Sequence, residues 1–165
     1  MTLGDLELTV VQDAHGGRGY IAGFAVTDEL IVAAGGQTNR GPMMMASSNA
    51  RDFEQRPTPR DQGLRDVLAV GDSLWTCGEV GQLAISRDHG ATWTSLDTGT
   101  TGCLYALALA SDGAVWVVGD HGFAARVQDG QVETIDLGTT ARLSAAYAVR
   151  DEIVVLGFDG RLRTL

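Results

Sequence analysis

The sequence predicts an all-β fold, and three observations support this prediction. Apolar residues alternate with polar ones or run continuously over five to seven residues, which is typical of strands and not of the 3.6-residue helical period. Short polar turns separate these runs. Pairs of runs recur four times, and the glycine that closes the second run of each pair stands at Gly35, Gly78, Gly119 and Gly157, with spacings of 43, 41 and 38 residues. A period of about 40 residues built from short strands predicts a β-propeller.

Each repeat is expected to form one four-stranded antiparallel blade. The two apolar runs, which give the first and second strands, are residues 20–26 with 30–36, 64–70 with 74–81, 104–110 with 115–122, and 143–149 with 153–160. Third and fourth strands follow at 43–48 and 53–56, at 82–86 and 92–97, and at 123–127 and 132–137. The fourth repeat ends with a third strand at 161–165.

The missing strand of the last blade has a candidate at the other end of the chain. Residues 3–12 contain an apolar run and precede a turn in the same order that is seen between repeats. We expect this segment to complete the last blade and to protect its open edge. The 165 residues then form one domain with repeats at 20–60, 63–98, 103–138 and 142–165 plus 3–12. Four blades closing within one monomer is the favoured arrangement, and two chains forming an eight-bladed ring is the alternative.

A hairpin motif lies between the third and fourth strands of the second repeat. It consists of Ser86, Asp88, Gly90, Thr92 and Trp93. The Asp88 carboxylate can accept backbone N–H bonds within its own turn, and Gly90 permits a positive φ. A degraded copy occupies 47–53 of the first repeat. The motif resembles the S-x-D-x-G-x-T-W Asp-box of the BNR-like β-propellers, which include sialidases and photosystem II assembly factors. The resemblance implies a propeller fold, because such boxes are structural and occur on propellers with unrelated functions.

Composition excludes several classes of protein. The net charge is −9 and all twelve basic residues are Arg, so the chain should repel the phosphate backbone of nucleic acids. The N-terminus lacks the pattern of a signal peptide, and no apolar stretch approaches the ~18 residues of a membrane span. Cys77 and Cys103 are expected to be buried hydrophobic residues, although a disulfide between them is possible. We therefore expect a cytoplasmic protein with no contact to nucleic acid or membrane.

The candidate binding residues lie in loops that a ring of blades would bring to one face. These loops connect successive blades, or join the second and third strands of a blade. Their candidate residues are His15, Arg18, Asn39, Arg40, Arg60, Glu79, Asp120, His121, Phe158 and Asp159. The mixture of charged, polar and aromatic side chains suits a polar partner, although loops in any repeat protein tend to be polar.

No catalytic residue, metal site or cofactor is predicted from the sequence. A sialidase would need an arginine triad and a tyrosine–glutamate pair, and the three tyrosines fall within first strands. We therefore expect a non-enzymatic protein–protein interaction module, such as an inhibitor, an immunity-type protein or an assembly factor. Its net acidity favours a basic partner. The alternative is a carbohydrate-binding or sialidase-like propeller, with glycosidase activity as its enzymatic form.

Overall fold

The computed structural model describes residues 19–37 and 41–165. The described residues form fifteen strands in four antiparallel sheets, which we call blades 1 to 4. Blade 1 contains β1 (Gly19–Val26), β2 (Ile31–Gln37), β3 (Gly41–Ser47) and β4 (Glu54–Gln55). Blade 2 contains β5 (Leu64–Val70), β6 (Ser73–Gly78), β7 (Leu83–Ser86) and β8 (Thr94–Ser95).

The other two blades repeat this order. Blade 3 contains β9 (Leu104–Leu109), β10 (Val115–Gly119), β11 (Ala124–Gln128) and β12 (Gln131–Thr134), with a 3₁₀ turn at Asp120–Gly122. Blade 4 contains β13 (Leu143–Val149), β14 (Glu152–Gly157) and β15 (Leu162–Thr164). Sequence neighbours are hydrogen-bonded neighbours throughout each sheet. The predicted all-β fold with four blades is confirmed.

The repeated glycine is explained by the register of the first two strands. In each blade it lies opposite the same position of the first strand, as in the pairs Ile21–Gly35, Leu64–Gly78 and Leu143–Gly157. The register shifts directly after this pair in every blade. A Cβ atom at Gly35 or Gly78 would overlap a backbone carbonyl oxygen of the neighbouring strand segment. Glycine is therefore required by the close approach of two backbones.

Neighbouring blades pack face to face through their apolar side chains. β1 packs on β5, β5 on β9, and β9 on β13. Three clusters of buried residues fill these contacts, including Met44 with Leu64 between blades 1 and 2, Leu83 with Leu104 between blades 2 and 3, and Ala124 with Leu143 between blades 3 and 4. The hydrophobic core is thus distributed over three interfaces between blades.

The fourth strands differ most from the sequence prediction. β4 and β8 contain two residues each, and β12 contains four, so all three are shorter than expected. They form the exposed outer edge of their sheets, where short strands limit pairing with other chains. Blade 4 has three strands within the described residues. The proposed closing strand at 3–12 lies outside them and remains a prediction.

The hairpin motif of blade 2 is held by its own side chains. Asp88 Oδ1 accepts hydrogen bonds from the Thr92 backbone N–H (2.8 Å) and the Ser86 hydroxyl (2.7 Å), and the Gly90 N–H donates to Ser86 Oγ (2.8 Å). Trp93 Nε1 donates to the Pro57 carbonyl oxygen of the preceding blade (3.0 Å). These hydrogen bonds join the motif to its own turn and to the segment that follows β4, and its structural role remains a prediction.

The degraded copy in blade 1 uses the same arrangement with an amide in place of the carboxylate. Asn49 Oδ1 accepts hydrogen bonds from the backbone N–H groups of Arg51 and Asp52 (both 2.9 Å) and from the Ser47 hydroxyl (3.0 Å). Ala50 takes a positive φ of 59° there. His89 takes the equivalent conformation after Asp88 (φ 56°), so the shorter turn of blade 1 keeps this residue and has no counterpart of the left-handed Gly90.

Candidate interaction site at the channel mouth

The loops between the second and third strands of blades 2 to 4 lie at the same end of the molecule. Their first backbone N–H groups, from Glu79, Asp120 and Phe158, donate to carbonyl oxygens next to the start of the first strand in the same blade, at 2.8–3.0 Å. Gly81 and Gly122 then donate to the chain segments that lead into the following blades. We call this end the channel mouth, formed by residues 79–81, 120–122 and 158–160 with 63–65, 102–105 and 141–142.

Two of these loops share an unusual backbone conformation. Val80 and His121 have φ values of 55° and 57°, in the left-handed region that side chains with a Cβ rarely adopt. The glycines that follow, Gly81 and Gly122, are also left-handed, and a Cβ atom on either would overlap the carbonyl oxygen of Thr100 or Thr139. Close contact between loops of adjacent blades fixes this backbone and presents the His121 side chain to solvent.

Each acidic residue predicted at the mouth is paired with an arginine. Glu79 Oε1 accepts a hydrogen bond from Arg65 Nη2 at 2.6 Å, and Asp120 Oδ1 lies 3.3 Å from Arg142 Nε. Asp159 Oδ2 lies 2.6 Å from Nη2 of Arg163, an arginine that also donates to Thr139 Oγ1 at 3.1 Å.

These pairs change the electrostatics expected from the sequence. Hydrogen bonds from Arg163, helped by the backbone N–H of Arg161, lower the pKa of Asp159 to about 2. The carboxylate is therefore charged at neutral pH and is matched by its arginine. At the mouth each of the three acids is balanced by an arginine. The net charge of −9 is therefore a property of the whole chain and is not concentrated at the mouth.

Arginine side chains also connect aromatic rings across the mouth. The Arg65 guanidinium of blade 2 lies 5.4 Å from the ring centre of Tyr20 in blade 1. Arg142 at the start of blade 4 lies 5.0 Å from the ring of Tyr105 in blade 3 and 4.9 Å from that of Phe158. These are cation–π distances. We call these five residues the arginine–aromatic row, and it includes side chains from all four blades.

The Tyr105 phenol of the row and the neighbouring Cys103 thiol are both in their neutral forms. Burial, and then the neighbouring Cys103 and Asp120, raise the pKa of Tyr105 to about 12. Burial also raises the pKa of the Cys103 thiol, despite the opposing effects of Tyr105 and Arg65. Both groups are protonated at neutral pH, so Cys103 is not an activated thiolate. Neither Cys77 nor Cys103 forms a disulfide.

A cavity of about 590 Å³ continues from the row along the first strands of the four blades. Its lining comes from residues 22–24, 65–68, 105–109 and 144–148. The lining mixes small side chains, mostly Ala, with larger ones such as Phe24, Tyr105 and Tyr147. Asp66 is the carboxylate of this wall, and its two oxygens accept hydrogen bonds from backbone N–H groups. The cavity therefore has a mixed apolar and polar wall beneath a polar and aromatic rim.

The structure brings together part of the predicted site. Glu79, Asp120, His121, Phe158 and Asp159 lie at the mouth, and Arg60 is exposed in the loop that leads into β5. His15, Arg18, Asn39 and Arg40 lie outside the described residues.

Sequence reasoning missed five residues in or beside the mouth, namely Tyr20, Arg65, Tyr105, Arg142 and Arg163. The sequence did contain a signal for Arg65, because it is a charged residue inside an apolar first strand, directly after the buried Leu64. The other blades carry Ala22, Tyr105 and Ser144 at this position.

Within residues 19–37 and 41–165, no group of three or more His, Cys, Asp or Glu side chains is arranged to hold a metal ion. In the same ranges no helix has the length and apolar character needed to cross a membrane.

Solved structures with a similar fold are β-propellers. YCF48 bound to a D1 peptide is 17% identical, with a TM-score of 0.65 over 88% of this chain and 48% of that one. The WD40 β-propeller domain of Doa1 is 13% identical, with a TM-score of 0.74 over 87% of this chain and 50% of that one. The computationally designed Ika4 protein is 13% identical, with a TM-score of 0.74 over 92% and 93% of the two chains.

These similarities concern the fold. No protein-family model matches the sequence, and no curated protein matches it either. The chain spans about half the length of YCF48 and of the Doa1 domain. The four sheets, their packing and the structural neighbours together show that the chain adopts a β-propeller fold.

Proposed function

We propose that the chain is a non-enzymatic module that binds a segment of another protein across the channel mouth. The observation that carries this proposal is the arginine–aromatic row. It combines exposed aromatic surface at Phe158 and Tyr20 with guanidinium groups from two other positions. Aromatic and arginine side chains are the residues most enriched where protein interfaces gain their binding energy.

The chemistry of the row suits a peptide chain. Guanidinium N–H groups can donate to peptide carbonyl oxygens, carboxylates can accept from peptide N–H groups, and the rings offer apolar contact. The cavity below the rim could accept one side chain of the bound segment. YCF48, which has a similar fold, was solved with a D1 peptide, and this supports peptide binding by such a fold.

The thiol and the carboxylates at the mouth do not suit nucleophilic or acid–base catalysis. Cys103 is held as a neutral thiol, and Glu79, Asp120 and Asp159 are each engaged by an arginine. A general acid or base at neutral pH needs a pKa near 7, and Asp159 is shifted in the opposite direction. This supports a binding role for the mouth.

The preferred partner is basic. The net charge of −9 accelerates encounter with a positive surface at long range, even though the acids of the mouth are paired. An inhibitor, an immunity-type protein or an assembly factor would each use such steering. A cytoplasmic location is part of this proposal.

The test is selection from a display library of random peptides, with a glycan array probed in parallel. We expect enriched peptides rich in Arg or Lys whose binding is lost in Arg142→Ala and Phe158→Ala. The matched control is Arg126→Ala, which removes an equal charge from the ion pair with Asp112 (2.7 Å), near the β9–β10 turn at the opposite end of the blade. Glycan binding with no enriched peptide would overturn the proposal in favour of a carbohydrate-binding propeller.

A further inference from the structure

The two end blades expose apolar side chains that the repeat would otherwise bury. In blade 1, Ile21, Phe24 and Val26 on β1 are 64%, 71% and 60% exposed. In blade 4, Tyr147 on β13, Leu156 on β14 and Leu162 on β15 are 68%, 40% and 70% exposed. We call the first set the leading face and the second set the trailing face.

Two of the three leading-face positions, those of Ile21 and Phe24, are buried in the other three blades. Ile21 lies opposite the repeated glycine, and its equivalents Leu64, Leu104 and Leu143 are fully buried. The equivalents of Phe24, which are Val67, Leu107 and Ala146, are also buried. Each of these residues packs against the preceding blade. The leading face is therefore the half of an interface that blades 2 to 4 each form with their predecessor.

The trailing face is the other half of the same interface. Leu156 corresponds in register to Ala34, Cys77 and Val118, and Leu162 corresponds to Met44, Leu83 and Ala124. All six internal equivalents are buried against the following blade. The interface thus occurs three times inside the chain, and its two complementary halves are left over at the ends.

We propose that these faces pack against each other between two copies of this chain, so that the copies close an eight-bladed ring. Blade 4 of each copy would lie against blade 1 of the other, which gives two identical interfaces related by a two-fold axis. Monomeric proteins seldom expose contiguous apolar patches larger than a few hundred Å², and the ring covers both patches at once.

The arrangement of the four blades agrees with one half of a ring. The chain superposes on half of the Doa1 propeller domain with a TM-score of 0.74. Four blades arranged like half of a larger ring need a second half to close. In the proposed ring, the two copies share one channel mouth that combines two arginine–aromatic rows, with Phe158 of one copy beside Tyr20 of the other.

Cross-linking by mixed single-cysteine variants tests the proposal. One sample carries Phe24→Cys and the other carries Tyr147→Cys. After mixing and mild oxidation, we expect a disulfide-linked dimer on a non-reducing gel, and none from either variant alone. Each variant alone is also the control for the native Cys103. Closure within one chain, or coverage by residues 1–18 or by another protein, would give no mixed dimer and would overturn the proposal.

Solution mass provides the second measurement. The wild-type chain is expected to have twice its monomer mass in sedimentation, and Phe24→Asp is expected to weaken the dimer by at least about tenfold. Val80→Asp, which changes an exposed apolar residue of the mouth, should leave the mass unchanged. Phe24→Arg combined with Tyr147→Asp should restore part of the dimer that either change alone removes. A monomeric wild type at all concentrations would contradict the ring.

Discussion

The Asp66 carboxylate in blade 2 accepts a hydrogen bond from the backbone N–H of Leu107 in blade 3, at 2.8 Å through Oδ2. Its other oxygen accepts from the Val67 N–H, also at 2.8 Å. Burial raises the pKa of Asp66, while these two hydrogen bonds oppose the increase. Gly23 occupies the equivalent position of blade 1, and a Cβ there would overlap the Asp66 side chain. One carboxylate therefore links the inner strands of adjacent blades.

Replacing Asp66 by alanine should destabilise the fold. The Leu107 N–H would lose its acceptor at a half-buried site, and we expect a loss of about 1–3 kcal/mol in the free energy of unfolding. Urea denaturation measures this change. The control Asp72→Ala, in the exposed β5–β6 turn, should stay within about ±0.5 kcal/mol of wild type. Equal effects of the two substitutions would contradict a bridging role for Asp66.

Stability should depend on the ionisation of Asp88. Hydrogen bonds from the Thr92 side chain and backbone and from Ser86 lower the pKa of Asp88 to about 2, from an ordinary value of 3.8. A carboxyl whose pKa is lower in the folded chain adds stability above pH 3.8, and loses it as the pH falls through about 2.

The difference in unfolding free energy between wild type and Asp88→Asn should therefore grow between about pH 2 and pH 4 and then level off. Denaturation at several pH values measures it. Peptide binding at the mouth should be the same in both proteins, because the hairpin is structural. A pH-independent difference, or lost binding at unchanged stability, would argue against this role.

Gly122 should be intolerant of any side chain. It combines a φ of +74° with a position where a Cβ atom would overlap the Thr139 carbonyl oxygen. Gly138 has a φ of +63° with open space around it. Gly138→Ala should cost the backbone strain alone, about 1–2 kcal/mol, and Gly122→Ala should cost more. Thermal unfolding of the two variants separates the cost of backbone strain from the cost of the Cβ overlap. Equal melting temperatures would show that the overlap at Gly122 has no cost.

Much of the architecture could be predicted because it depends on local pattern. The repeated glycine, the apolar runs and the hairpin motif each impose a backbone geometry that is visible in the sequence. The pairing of Arg142 with Asp120, by contrast, depends on the placement of one blade against the next. The same applies to Tyr20, which lies in a first strand as predicted and meets Arg65 only because blades 1 and 2 are adjacent.

The acids of the mouth should influence the rate of partner association. Neutralising them through Glu79→Gln, Asp120→Asn and Asp159→Asn changes the net charge from −9 to −6 and frees three arginines. Association with a selected basic peptide should slow, and added salt should slow the wild type in the same way.

The matched control for this triple variant removes the same charge from turns at the opposite end, through Asp28→Asn, Asp72→Asn and Asp151→Asn. Stopped-flow association rates compare the two. The mouth variant should be the slower, because its charges lie nearest the bound peptide. Identical rates would assign the effect to overall charge alone.

Amide hydrogen exchange with and without a selected peptide tests the central claim most directly. Binding at the mouth predicts added protection in residues 102–105, 141–143 and 157–160, with residues 110–114 at the opposite turn unchanged. Protection confined to 110–114 and the other turns at that end would contradict the assignment of the binding site to the arginine–aromatic row.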